Sequence, residues 1–100
     1  MALKITKENF NEVLNSDKTV IIDFWATWCG PCQMMAPVVE EIAEENPQWV
    51  VGKIDVDEEP ALAQQFSIVS IPTLVVLKGG KEVNRLVGFR KKEQVLAEID

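Results

Sequence analysis

Both cysteines of the chain, Cys29 and Cys32, fall inside one short stretch, "WATWCGPCQMMAP", with only Gly30 and Pro31 between them. Three chemistries use such a pair. A structural disulfide gains stability from the loop it closes, and a loop of two residues constrains almost nothing. A structural zinc site needs four ligands, usually Cys or His. The chain has no third cysteine and no histidine, so zinc would require a second chain. Reversible dithiol–disulfide exchange fits the local residues best. The start of a helix offers unpaired N–H groups and the positive end of the dipole, which favour a thiolate, and the thiolate is the form that attacks a disulfide. Pro31 suits the first helical position, where a missing N–H costs nothing. Gly30 leaves room for another backbone. Cys-x-x-Cys after a strand in a βαβ pattern carries this redox meaning by its spacing.

Those residues need elements to hold them. One hundred residues suffice for one core, and residues 1–100 read as a single domain without repeat or linker. "LKIT" is expected as a short first strand. "KENFNEVLN" places Phe10, Val13 and Leu14 on one helical face. "TVIIDFWA" is apolar on both alternating faces, which predicts a central strand covered on both sides. Beyond the cysteines, Met35, Val38, Val39, Ile42 and Ala43 form a helical stripe ending by Asn46-Pro47, with Pro37 inside it. "WVVGKIDV" is a third strand. "EEPALAQQF" is a short helix with Asp57 as its expected cap. "TLVVL" and "KEVNRLV" flank Gly79-Gly80, a hairpin signal, and Lys81, Glu82 and Arg85 suit an edge strand. "KKEQVLAEI" closes as an amphipathic helix with Val95, Leu96 and Ile99 inward. The order predicts an α/β sandwich: a mixed sheet with helices on both faces.

Charge and hydropathy exclude other classes. The formal net charge is −6, which disfavours nucleic acid, and the basic run Arg90–Lys92 reads as a solvated helix start. The longest apolar stretch, "FSIVSIPTLVVL", is too short to span a membrane, which takes about 20 residues. "MALKITKENF" lacks the apolar core of a secretory signal, so with Met1 as the native start the expected location is the cytoplasm. "DVDEEP" has alternating acids, but Pro60 stands where a calcium loop needs glycine. Met34 and Met35 are expected as core filler.

"FWATWCGPC", with "SIPT" and "VGF" downstream, resembles the thioredoxin family from the first strand to the last helix. The resemblance implies the thioredoxin fold, a five-stranded mixed sheet flanked by four helices. It implies protein disulfide reduction through a Cys29–Cys32 cycle, with Cys29 the exposed nucleophile and Cys32 the buried resolving thiol. Asp23, an unusual carboxylate inside "VIIDFW", would move the proton of Cys32. Lys53 would be that aspartate's neighbour in the next strand. Trp28, Gly30, Pro31, Ile71, Pro72 and Gly88 would form a shallow apolar patch for extended clients. Pro72, which alone would be read as trans, would be cis. Trp25 and Trp49 are assigned mainly to packing.

The same resemblance implies a monomeric electron carrier with no bound cofactor beyond its redox-active disulfide. A thioredoxin reductase of flavin or ferredoxin type would regenerate the dithiol, and disulfide-containing proteins would be its clients. Oxidases and isomerases of this fold typically place histidine between the cysteines, whereas Gly-Pro looks like the reductant branch. Two positions depart from the family pattern: Gln33 replaces a common lysine, and Phe89 is bulkier than the usual small residue. A binding module indifferent to its thiols is the alternative of a different class.

Overall fold

The computed structural model describes residues 1–99. Its elements run β1 (Leu3–Lys4), α1 (Phe10–Leu14), β2 (Val20–Trp25), α2 (Gly30–Glu45), β3 (Val50–Asp55), α3 (Pro60–Gln65), β4 (Thr73–Lys78), β5 (Lys81–Val87) and α4 (Lys92–Ile99). The sheet order is β1-β3-β2-β4-β5. β1 and β2 pair parallel with β3, while β4 pairs antiparallel with both β2 and β5. This is the expected five-stranded mixed sheet, with β2 at its centre.

Side-chain alternation along β2 assigns the two faces. Val20, Ile22 and Phe24 join Phe10, Val13 and Leu62 in one core, beneath α1 and α3. Ile21 joins Met35, Val39, Ile42, Val95 and Ile99 in the other, beneath α2 and α4. Asp23 and Trp25 share parity with Ile21, so the strand's one carboxylate faces the helix that carries the cysteines. In β3, Lys53 shares parity with Val51 on that same face.

Local chemistry sets several boundaries. β1 is shorter than the expected "LKIT" because Asn9 captures its end. The Asn9 side chain accepts from the Thr6 amide at 2.8 Å and donates to the Lys4 carbonyl at 2.9 Å. Helix α2 starts one residue earlier than expected, with Cys29 as its N-cap and Gly30 first. Pro31 is therefore second, a position whose N–H would also lack a helical partner. The helix ends at Glu45 with Asn46 as C-cap, and Pro37 lies within it. Gly79 and Gly80 both have positive φ, 61° and 77°, as a tight primed hairpin turn requires.

Two expectations fail. Asp57 does not cap α3, whose N-cap is Glu59 with no side-chain cap bond. Met34 is not core filler; it is 60% exposed while Met35 is buried, because adjacent helical residues point about 100° apart.

Candidate active site

The parallel strands β2 and β3 both end at the edge of the sheet where α2 begins, and the site is built there. Cys29 and Cys32 form a disulfide with Cα atoms 5.2 Å apart. The Cys32 amide donates to Cys29 Sγ at 3.2 Å, so the cap of α2 is a sulfur. An N–H aimed at this atom favours negative charge on it once the disulfide opens. Ala26 and the two cysteines form a small buried cluster, packed by Trp25, Val56 and Ile71.

Across from the disulfide, the Ile71–Pro72 peptide is cis, as the family resemblance implied. The Ile71 carbonyl oxygen lies 3.8 Å from Cys29 Sγ. Thr73 Oγ1 donates to the Ser70 carbonyl at 2.6 Å, and the Gly88 amide donates to the Pro72 carbonyl at 2.8 Å. These bonds hold the 70–73 turn against the end of β5. Gly88 has φ +89°, a conformation that disfavours any side chain. Trp28, Gly30 and Pro31 are exposed, Ile71 and Gly88 half-buried, and Pro72 buried. Of the expected patch, all but Pro72 therefore reach the surface.

The expected exposure of Cys29 is corrected. Cys29 is only 5% exposed and Cys32 2%. With its sulfur tied to Cys32 and set against Ile71, Cys29 gives little surface to solvent in the disulfide state.

Asp23 is 1% exposed, and neither carboxyl oxygen has a hydrogen-bond partner. Burial raises its pKa to about 7, against the lowering pull of the Lys53 charge. Lys53 stands opposite Asp23 in the β2–β3 register. It makes no salt bridge with Asp23; its Nζ lies over the Trp25 ring, 4.8 Å from the centroid. Trp25, assigned to packing from sequence, thus also holds a cation. Strand parity with Asp23 was the available signal. Asp57 accepts a 2.7 Å hydrogen bond from Trp28 Nε1. No local pattern marks that contact, since the partners are 29 residues apart. Among the described residues no cluster of three or more His, Cys, Asp or Glu could hold a metal ion.

The family model described as thioredoxin matches residues 1–100. The chain belongs to the thioredoxin family. A thioredoxin of Alicyclobacillus acidocaldarius is 50% identical over 97% of this chain and 93% of its own length. A thioredoxin of Mycobacterium tuberculosis is 50% identical, over 97% of this chain and 85% of its own. A bifunctional thioredoxin reductase/thioredoxin of Mycobacterium leprae is 52% identical over 90% of this chain, which covers 20% of that longer protein. The crystal structure of a Malassezia sympodialis thioredoxin superposes with a TM-score of 0.90 at 38% identity, covering 99% of this chain and 88% of that one.

As a thioredoxin-family member, the chain is a thiol–disulfide oxidoreductase, and its redox group is the Cys29–Cys32 disulfide itself. Its activity is that of a protein-disulfide reductase.

Proposed function

We propose a division of labour among the site residues for this disulfide reduction. In the reduced protein Cys29 is the attacking thiolate, stabilised by the α2 terminus. It bonds to one sulfur of a client disulfide and expels the other as a thiolate. Cys32 gives its proton through water to the Asp23 carboxylate, and the resulting thiolate attacks Cys29 Sγ. The bond between Cys29 and the client breaks, that client sulfur leaves as the second thiolate, and the Cys29–Cys32 disulfide forms. Two electrons pass from the dithiol to the client. The three-residue spacing makes the second attack intramolecular, which gives it a high effective concentration.

The observation that carries this reading is the Cys32 amide at 3.2 Å from Cys29 Sγ, a donor already aimed at the atom that becomes charged. Asp23 suits a proton acceptor because its pKa near 7 matches neutral working conditions. Trp28, Gly30, Pro31, Ile71, Pro72 and Gly88 frame the client groove. Ile71 lends its backbone to an extended client chain as a short strand pairing.

The partners are disulfide-containing proteins on one side and a thioredoxin reductase on the other. The Mycobacterium leprae relative, named as both reductase and thioredoxin in one chain, supports that coupling. One copy supplies both cysteines and the whole groove, which supports a monomeric carrier of electrons. The cytoplasm is the proposed location, because a reducing compartment keeps such a dithiol charged with electrons.

Reduction of insulin by dithiothreitol tests the assignment. The wild-type chain accelerates precipitation of the insulin B chain; Cys29→Ser abolishes the acceleration, and Cys32→Ser holds clients as mixed disulfides through Cys29. Retained acceleration by Cys29→Ser refutes the role given to that sulfur.

A further inference from the structure

Lys53 has a choice of partners. Its Cα stands opposite that of Asp23, whose two buried oxygens lack any hydrogen bond. Beside Lys53 opens a cavity of about 370 Å³, walled also by Trp25, Lys4, Glu40, Asp55 and Glu58. Asp23 is not part of that wall. Among the described residues the Lys53 ammonium forms a salt bridge neither with Asp23 nor with any carboxylate of the cavity. It rests instead on the Trp25 ring, 4.8 Å from the centroid.

We propose that Trp25 is a positioning residue for the proton step: its ring holds the Lys53 ammonium off Asp23, leaving that carboxyl free to exchange a proton with Cys32. The proposal rests on the reading of Asp23 as proton acceptor. Trp25 follows Asp23 by two residues on the same strand, so both side chains leave the same face of β2. Lys53 reaches along the strand direction to the ring instead of across to the carboxyl. A cation over an indole face is attracted by the ring quadrupole, most strongly where water is scarce. An ammonium released from the ring would find the unpartnered Asp23 oxygens on its inner side.

The consequence is a matter of acid strength. An opposite charge within about 4–6 Å lowers a carboxyl pKa by roughly 1–3 units. At its present distance Lys53 only moderates the effect of burial, and Asp23 titrates at about 7. A full ion pair would leave a carboxylate too weak as a base to take the Cys32 proton near neutrality. The other groups facing this region are Cys29 and Cys32 at the start of α2, with Glu40 from α2, Asp55 from β3, Glu58, the amino terminus at Met1 and Lys4 from β1, the register partner of Lys53, in the cavity wall. β4 presents uncharged Leu74 opposite Asp23. Lys53 is therefore the one cation in the β2–β3–β4 register around Asp23 that can set its charge state.

The test follows the Asp23 carboxyl directly, by carbon-13 NMR titration of the whole reduced chain. In Trp25→Leu the midpoint is expected to fall by about 1 unit or more, and in Trp25→Phe by less. In Lys53→Met it rises, and adding Trp25→Leu to Lys53→Met then leaves it where Lys53→Met put it. The release of client from its mixed disulfide slows at neutral pH in Trp25→Leu, with its pH profile displaced downward. An unchanged midpoint in both Trp25 variants overturns the proposal, as does an equal shift with and without Lys53. Trp25→Phe preserves an aromatic packing residue if Trp25→Leu does not fold. Failure of the underlying reading is seen separately, as a mixed-disulfide release whose pH profile is unmoved by Asp23→Asn.

Discussion

The indole Nε1 of Trp28 donates to Oδ2 of Asp57 over 2.7 Å, tying the residue before Cys29 to the loop before α3. Trp28 is otherwise 69% exposed, so this bond is what fixes the orientation of a large apolar plate beside the disulfide. A preorganised plate spares a client the cost of ordering it.

Asp57→Ala is therefore expected to lower stability by about 0.5–1.5 kcal/mol, the net worth of one hydrogen bond. The functional loss falls on client binding: the KM for insulin rises several-fold, corresponding to about 1 kcal/mol for one hydrogen bond to a charged group in a solvated setting. Reduction of a small aromatic disulfide, which needs no such plate, keeps its rate. Steady-state kinetics on both substrates check this.

The buried Asp23 couples stability to pH, with a definite sign. Its pKa is raised on folding from 3.8 to about 7, so the folded chain binds the proton more tightly than the unfolded one. Its favourable contribution is complete below about pH 4 and is lost as pH rises through 7. Above that the charged carboxylate destabilises by roughly 4 kcal/mol relative to the protonated form. Asp23→Asn is expected to be more stable than wild type at pH 8 by up to that amount, with the advantage shrinking towards pH 4. Urea unfolding at a series of pH values measures it.

Gly88→Ala tests the end of the groove. With φ at +89°, an alanine is strained by about 1–2 kcal/mol. The nearest atom to the added Cβ is an Arg90 guanidinium nitrogen at 3.7 Å, so crowding adds nothing. The strain is relieved by turning the peptide whose N–H bonds the Pro72 carbonyl. The melting temperature drops, and the KM for insulin rises more than kcat falls.

Much of this site is legible from residue types, and the remainder fails for identifiable reasons. The CGPC spacing and the alternating "VIIDFW" give the redox pair and a carboxylate in a buried strand. Strand parity further puts Asp23 on the same face as Ile21. The β2–β3 register that sets Lys53 opposite Asp23 is a long-range pairing, and no local pattern states it. The position of the Lys53 ammonium on Trp25, and of Asp57 on Trp28, depends on side-chain directions that sequence spacing does not fix. Asp57 reads as a cap because it precedes a helix; the turn made by Asp55 Oδ1 with the Asp57 amide at 2.9 Å leaves its carboxylate pointing elsewhere. Cys29 reads as exposed through family resemblance, yet in the disulfide state it is only 5% exposed. The cis Ile71–Pro72 bond is expected only from resemblance, since the residues alone favour trans.

Phe24→Ala examines the frame that carries the site. Phe24 is fully buried, and its ring centroid lies 5.3 Å from that of Phe66, which in turn packs edge-on against Phe10 at 5.8 Å. Removing the ring leaves a cavity on the face opposite the cysteines. The expected cost is about 3–5 kcal/mol in denaturant unfolding, with the activity of the folded fraction retained.

At the centre of the mechanism, Cys29, whose Sγ caps α2 by accepting from the Cys32 amide, is an ionised sulfur near neutral pH in the reduced chain. The direct measurement is the rate of iodoacetamide alkylation of the reduced chain against pH, with the modified residue located by peptide mass. Cys29 is expected to react before Cys32, with a midpoint clearly below the ordinary thiol value of about 8.5. A midpoint at or above that value, or first reaction at Cys32, contradicts it.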